Sequence, residues 1–241
     1  GADPEKMILF DSKGGLHKDR SDIEKDTRFY RKWELCQKTN PKKINDPEEA
    51  LKGADVLIAL SKPGPDVIKP EWIKGMGTKP IVFACANPVP EIYPYSAKEA
   101  GAYIVATGRG DFPNRVNNSL GFPGILKGAL LVRARKITDE MAVKAAYSMA
   151  NYAEKNGINP DYIMPKMDET EMFAHEAADV AMEAIKNGVA RVEMTRDEVF
   201  NKTMEDIKHT RDTIDMMMQN NLIKQPDISM LEDALKFAVD Q

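Results

Sequence analysis

The chain of 241 residues sets 34 Lys and Arg against 38 Asp and Glu, a formal net charge of -4, so no basic stripe marks a nucleic-acid footprint. No apolar run approaches the ~20 residues that span a bilayer. The opening Gly-Ala-Asp-Pro-Glu-Lys lacks the basic-then-apolar order of a secretion signal. Cys36 and Cys85 are isolated and without metal-ligand spacing, and the expected compartment is the cytoplasm.

In chain order, residues 6–11 read as a strand, and residues 21–37 are charged and partly helical. A short helix is predicted over 46–53, with Asp46 as N-cap and Pro47 at the first helical position. Residues 55–60 form a strand that Ser61-Lys62-Pro63-Gly64-Pro65 ends sharply. A short helix over 69–76, a strand over 80–86, a helical turn over 96–100 and a strand over 103–106 follow. Four apolar strands separated by helices predict an α/β fold with a parallel, doubly wound sheet covered on both faces. After Gly121 the period becomes helical: 122–135, 139–156 with Thr138 as N-cap, 169–187, 196–219 and 228–239. Met216, Met217 and Met218 read as a packing or subunit surface.

The stretch 106–124 is the richest in chemical groups. It holds four glycines, two prolines and three asparagines in 19 positions, directly after a strand. Open α/β sheets bind ligands at the C-terminal ends of their strands. Three further strand ends carry polar groups. Asp11 could hold adenosine ribose hydroxyls, although a capped turn is the commoner use of such an Asp. Ser61 and Gly64 permit close approach by a ligand, or simply turn the chain. Asn87 before Pro88 can donate and accept at once, or close the strand as an Asx turn. Asn117 and Asn118 are adjacent where glycines already supply the turns. Arg109 and Asp111 are expected to pair with each other rather than act directly. His17, His175 and His209 are scattered, and no nucleophile–base pair or local metal cluster stands out.

These segments together resemble the malic enzyme family, specifically its cofactor-binding half. The resemblance rests on residues 10–14, on Gly53-Ala54-Asp55-Val56 with Ser61, and on 79–92 with Asn87-Pro88-Val89-Pro90-Glu91. It continues through 106–128, Arg133-Ala134 and Gly188-Val189-Ala190-Arg191. It implies a Rossmann-like sheet lacking its first strand–helix unit, followed by an all-helical part. Residues 1–135 would be an N-terminally incomplete NAD(P)-binding domain, 136–191 helices completing it, and 192–241 a helical extension. The activity implied is oxidation of L-malate by NAD or NADP with loss of CO2 to pyruvate, in which Mg or Mn polarises the C2 oxygen. The resemblance sets Asp11 at the adenosine ribose and Ser61 and Gly64 along the dinucleotide. Asn87 and Asn118 fall at the nicotinamide and malate, with Asn117 as a further substrate candidate. Asp11 favours NAD, because a carboxylate there bonds free ribose hydroxyls and repels a 2'-phosphate, with Lys13 as an offset. The catalytic Tyr and Lys, the metal carboxylates and the glycine fingerprint are expected upstream of residue 1, so no catalytic or metal residue is assigned within the chain. Residues 1–241 are expected to be a piece of a longer, homo-oligomeric enzyme, dimeric or tetrameric. Gly110 and Arg115 replace the Ser and Gln of many bacterial members. Two other readings are a non-catalytic nucleotide-binding or oligomerisation module, and the cofactor domain of a related dehydrogenase. The Asn-Asn-x-x-Gly-Phe-Pro-Gly segment argues against the second.

Overall fold

A computed structural model describes residues 2–224 and 227–239. The chain divides into two compact units, Gly1–Asn117 with Gly157–Met164, and Asn118–Asn156 with Pro165–Gln241.

In the first unit, β1 (Phe10–Asp11) and β2 (Gly14–Gly15) form a two-residue antiparallel pair. The strand expected over 6–11 is thus a hairpin arm outside the main sheet. Its turn is local: Asp11 Oδ1 accepts from Lys13 N–H at 2.9 Å, and Gly14 sits at φ +125°. A side chain at Gly14 would be strained in that conformation. Helices α1 (Ser21–Glu24) and α2 (Tyr30–Lys38) follow. Helix α3 (Pro47–Leu51) starts as expected, with the Asp46 carboxylate accepting from Glu48 N–H at 3.0 Å.

Strands β3 (Val56–Ala59), β4 (Ile81–Ala84) and β5 (Ile104–Thr107) make a parallel sheet in sequence order. Val56, Ile81 and Ile104 stand in register at one end, and Ala59, Ala84 and Thr107 at the other. Helices α4 (Pro70–Lys74) and α5 (Pro94–Glu99) connect the strands, each opened by proline at its first position. The core between them holds Ile73, Val82, Ala84, Ile92, Ala97 and Val105. One face of edge strand β3 is open, with Val56 and Ile58 exposed and Leu60 just beyond them.

The second unit is helical: α6 (Asn118–Leu131), α7 (Asp139–Lys155), α8 (Glu171–Lys186), α9 (Arg196–Gln219) and α10 (Ile228–Val239). Helix α8 is its centre, burying Met172, Ala174, Ala177, Ala178, Val180, Ala181 and Ala184. Thr138 caps α7 as expected, and Thr195 with Glu198 forms a full capping box on α9. Helix α6 begins four residues earlier than the hydrophobic period indicated and carries Pro123 inside. Its glycines are contact points with α8 rather than turns. A Cβ at Gly128 would lie 2.4 Å from the Ala177 carbonyl oxygen, and one at Gly124 would lie 2.1 Å from Glu176 Oε2. Among the described residues no helix is long and apolar enough to cross a membrane.

Candidate functional site

In a parallel sheet the loops after successive strands emerge on one edge. Ser61 follows β3, Ala86 and Asn87 follow β4, and Gly108 follows β5. A single buried carboxylate ties the first two. Glu91 Oε1 accepts from Ser61 N–H at 2.8 Å and from Ser61 Oγ at 3.1 Å, while Oε2 accepts from Ala86 N–H at 2.9 Å. Glu91 has no solvent exposure. A buried carboxylate is stabilised by such donors, and losing the carboxylate would orphan them. The Glu91 carbonyl also accepts from Ile68 N–H at 3.0 Å, and Gly64 N–H reaches the Val89 carbonyl at 3.4 Å. Gly64 stands at φ +143°, a value that favours glycine.

The Asn87–Pro88 peptide is cis, and Asn87 is exposed beside Gly108. A Cβ at Gly108 would lie 2.9 Å from both Asn87 Nδ2 and the Cys85 carbonyl oxygen. The bare glycine therefore makes room for the asparagine amide between two strand ends. The following turn is internally braced. Arg109 pairs with Asp111 through Nε at 2.8 Å and Nη2 at 2.6 Å, donates to the Pro88 carbonyl at 3.1 Å, and lies over the Phe112 ring. This is the expected Arg109–Asp111 pair. Asn114, buried and at φ 55°, donates to the Val105 and Pro160 carbonyls and accepts from Ile163 N–H. Asn117 Nδ2 donates to the Gly108 carbonyl at 3.0 Å, which gives it a bracing contact in the loop.

Asn118 is the first residue of α6 and belongs to the second unit. Its side chain is exposed. The structure thus brings Ser61, Gly64 and Asn87 together in the first unit, through Glu91 and the Val89 carbonyl, and sets Asn118 at a helix start in the other.

Asp11 belongs to the β1–β2 hairpin rather than to the three-stranded sheet, and its carboxylate is engaged. Arg20 donates at 3.1 and 3.0 Å to its two oxygens, and Lys32 Nζ also donates to it. Burial alone raises the Asp11 carboxyl, but the Arg20 and Lys32 bonds and the Lys13 amide outweigh it and hold it well below the usual carboxylate range. Lys13 pairs with Asp22 at 3.3 Å rather than with Asp11 through its side chain.

A second buried acid, Glu176, was not singled out by sequence reasoning. Both its carboxyl oxygens are buried with no hydrogen-bond partner, facing Gly124 and Gly121 of α6. Burial pushes its carboxyl up to about 8, so it carries a proton at neutral pH. Glu91 and Glu176 look alike in the sequence, as single acids among small and apolar residues. The signal for Glu91 was its place after a double-proline strand end; nothing marked Glu176.

An open cleft of about 500 Å3 in the second unit is lined by Ser148, Tyr152, His175, Asp179 and Arg196 among others. Within it Arg196 pairs with Asp179 at 3.0 Å and His175 stands 3.4 Å from Glu171. Among the described residues no three His, Cys, Asp or Glu side chains converge as a cation site.

The three-stranded parallel sheet with loops gathered at its strand ends, followed by a helical unit, defines a Rossmann-like α/β protein. The family described as "Malic enzyme, NAD binding domain" matches residues 2–189, and the chain belongs to the malic enzyme family. It is 39% identical over 198 residues to a bifunctional malic/malolactic enzyme of Bacillus subtilis, covering 82% of this chain and 47% of that one. It is 36% identical over 206 residues to an NADP-dependent malic enzyme of Halomonas elongata, covering 79% and 46%. A crystal structure of Entamoeba histolytica malic enzyme superposes with a TM-score of 0.97 at 62% identity, covering 100% of this chain and 50% of that chain. The Pyrococcus horikoshii malic enzyme structure gives 0.82 at 45% identity, covering 91% and 51%. The chain spans about half the length of these relatives.

Proposed function

We propose that this chain is the cofactor-binding part of an enzyme that oxidises L-malate and releases CO2 and pyruvate. The observation that carries the reading is the Glu91 brace, which fixes the loops after β3 and β4 at the edge where α/β sheets take dinucleotides. Ser61 and Gly64 line the dinucleotide. Asn87 offers its carboxamide, donor and acceptor together, to the nicotinamide amide or the malate carboxylate. Asn118 binds the substrate carboxylate, with Asn117 holding the Gly108 turn behind it. NAD(P), when bound, supplies the hydride acceptor. The chain's own contribution is to orient the two reactants, and such positioning accounts for several kcal/mol of a barrier, roughly 7–11 at its best. The metal ion and the acid–base groups of the reaction are assigned to the remainder of the longer protein. The working unit is proposed to be a homo-oligomer in the cytoplasm. Residues 1–135 serve as the NAD(P) domain, 136–191 complete it, and 192–241 extend it.

For the cofactor, Asp11 remains the residue nearest in chemistry to a ribose contact. Its charge is offset by Arg20 and Lys32, so its repulsion of a 2'-phosphate is weakened and the proposed NAD preference is modest. Fluorescence titration of residues 1–241 with NADH and NADPH tests both points. Saturable binding of each, tighter for NADH by less than about tenfold (about 1.4 kcal/mol), is expected. Absence of binding to either would overturn the assignment. In the longer parent protein, Asn118→Ala should lower kcat/KM for malate by about 100-fold with an unchanged melting temperature. An unchanged kinetic profile would remove Asn118 from the site.

A further inference from the structure

The open cleft of about 500 Å3 lies wholly within the second unit, between α7, α8 and the first residue of α9. On its α8 side the polar groups are engaged with one another. Arg196 donates from Nε to Asp179 at 3.0 Å, and its Nη2 stands 3.2 Å from His175 Nδ1. A guanidinium can only donate, so Nδ1 is the acceptor, and Nε2 carries the hydrogen that faces Glu171 at 3.4 Å. His175 is therefore neutral in this arrangement. Glu171, His175, Arg196 and Asp179 form one chain of contacts with a single net negative charge, and Arg196 keeps N–H donors beyond the two it uses. At the end of α7, Tyr152 and Asn156 bond to each other.

The α7 side is different. Lys144, Ser148, Asn151 and Lys155 line the cleft at steps of four, three and four, which sets them on one stripe of the helix. Among the described residues none of these four side chains has a hydrogen-bond or ion-pair partner. Free lysines are ordinary on a surface, but Ser148 is not on the surface. It is 4% exposed, in helical register with buried Met141 and Ala145, and it lines the cleft. A core position of that kind suits an alanine, and an unpartnered hydroxyl there is costly unless something in the cleft bonds to it. Once the engaged groups are set aside, every free group can donate, and both free charges are positive. The two lysines outweigh the α8 chain, so the lining carries a net charge of +1. Lys144 and Lys155 stand 11 residues apart, about 16 Å along the axis, with Ser148 and Asn151 between them.

We propose that this cleft is a binding site for a small dianion with an acidic group at each end. Lys144 holds one end and Lys155 the other, as point charges with three donors each. Ser148 and Asn151 donate to oxygens in the middle of the ligand, which gives the buried hydroxyl its partner. The matched chain on α8 forms the opposite wall and fixes the side chains there, and the spare donors of Arg196 face the same space. Two separated charges, rather than one cluster, select a two-ended ligand over a single carboxylate or phosphate. Carboxylate and phosphate ends share this chemistry, and the choice between them is read from the probes below. The proposal does not rest on the malate reading.

Isothermal titration calorimetry of the chain with succinate and with pyrophosphate, at concentrations up to about 10 mM, tests this. Acetate and inorganic phosphate serve as one-ended controls. Saturable binding of at least one two-ended probe, with Kd below about 1 mM, is expected, and its one-ended counterpart should bind at least about tenfold more weakly. Succinate alone identifies carboxylate ends, and pyrophosphate alone identifies phosphate ends. Lys144→Ala and Lys155→Ala should each weaken that binding by about tenfold, and Ser148→Ala by about threefold. Lys186→Ala, which removes an α8 lysine that pairs with Glu183 and does not line the cleft, should leave it unchanged. Melting curves of the lysine variants without probe should match the parent, because neither lysine has a partner to lose. Absence of saturation with both two-ended probes overturns the proposal. So does equal binding of the one-ended controls, unchanged affinity in both Lys144→Ala and Lys155→Ala, or a loss in Lys186→Ala as large as theirs, which would reduce the effect to overall charge. None of these results depends on the cofactor titrations.

Discussion

Replacing Glu176 with Met should stabilise the chain at neutral pH and abolish one pH dependence. The Glu176 carboxyl is buried in the α6–α8 contact, and burial raises it from 4.5 to about 8. The raised value means that the folded state prefers the protonated form. Below pH 4.5 both states hold the proton and the acid costs nothing through titration. Between pH 4.5 and 8 the unfolded chain releases its proton and the folded one does not, so stability falls by about 1.4 kcal/mol per pH unit. Above pH 8 both states are ionised and the loss levels off. At pH 7 the accumulated cost is on the order of 3 kcal/mol. Met has similar length, no charge and a side chain that tolerates the glycine-lined surface of α6. Urea unfolding followed by circular dichroism from pH 5 to pH 9, at constant ionic strength, measures the difference between parent and variant. That difference should grow with pH across the window and flatten above pH 8. A difference that is constant from pH 5 to pH 8 would refute the reasoning, because it would place the carboxylate in contact with water or a partner in the folded state.

Two further outcomes follow from the geometry. Glu91→Gln replaces with a donor one of two oxygens that each accept from a backbone N–H at a strand end, and should cost about 2 to 3 kcal/mol in thermal unfolding and weaken NADH binding in parallel. Equal NADH affinity in a folded variant would separate the brace from the cofactor edge. Gly128→Ala should destabilise the helical unit by about 1 to 3 kcal/mol, seen as a lower urea midpoint, because its Cβ would stand 2.4 Å from the Ala177 carbonyl oxygen and α6 would have to move off α8. An unchanged midpoint would mean that the helices separate at no cost.

Much of the local structure was legible in the residues, because its causes are local. Asp46-Pro47, Thr138 and Thr195 start helices by satisfying the first free N–H groups, and α9 and α10 fall where their periodicity set them. The three strands β3, β4 and β5 are short apolar runs of the kind parallel sheets are built from, although one face of β3 stays open. Asn87-Pro88-Val89-Pro90-Glu91 and the stretch 106–124 likewise pointed to the malic enzyme family before any contact was visible, and the match over residues 2–189 supports that family.

The remainder depended on partners distant in sequence. Gly124 and Gly128 fall inside the helix predicted over 122–135, but only the packing gives their reason: α8 approaches α6 too closely for a Cβ at either. The run at 6–11 has strand composition, yet the Gly14 turn folds its end back on itself and keeps it out of the sheet. Asp11 kept its carboxylate, but Arg20 and Lys32, 9 and 21 residues away, decide how much charge it shows. Two glutamates of the same type end with opposite roles because one meets three donors and the other meets none. Composition and spacing determine which elements form and which family they belong to. Only tertiary packing decides which polar groups are satisfied, and therefore which of them can hold charge, brace a loop or bind.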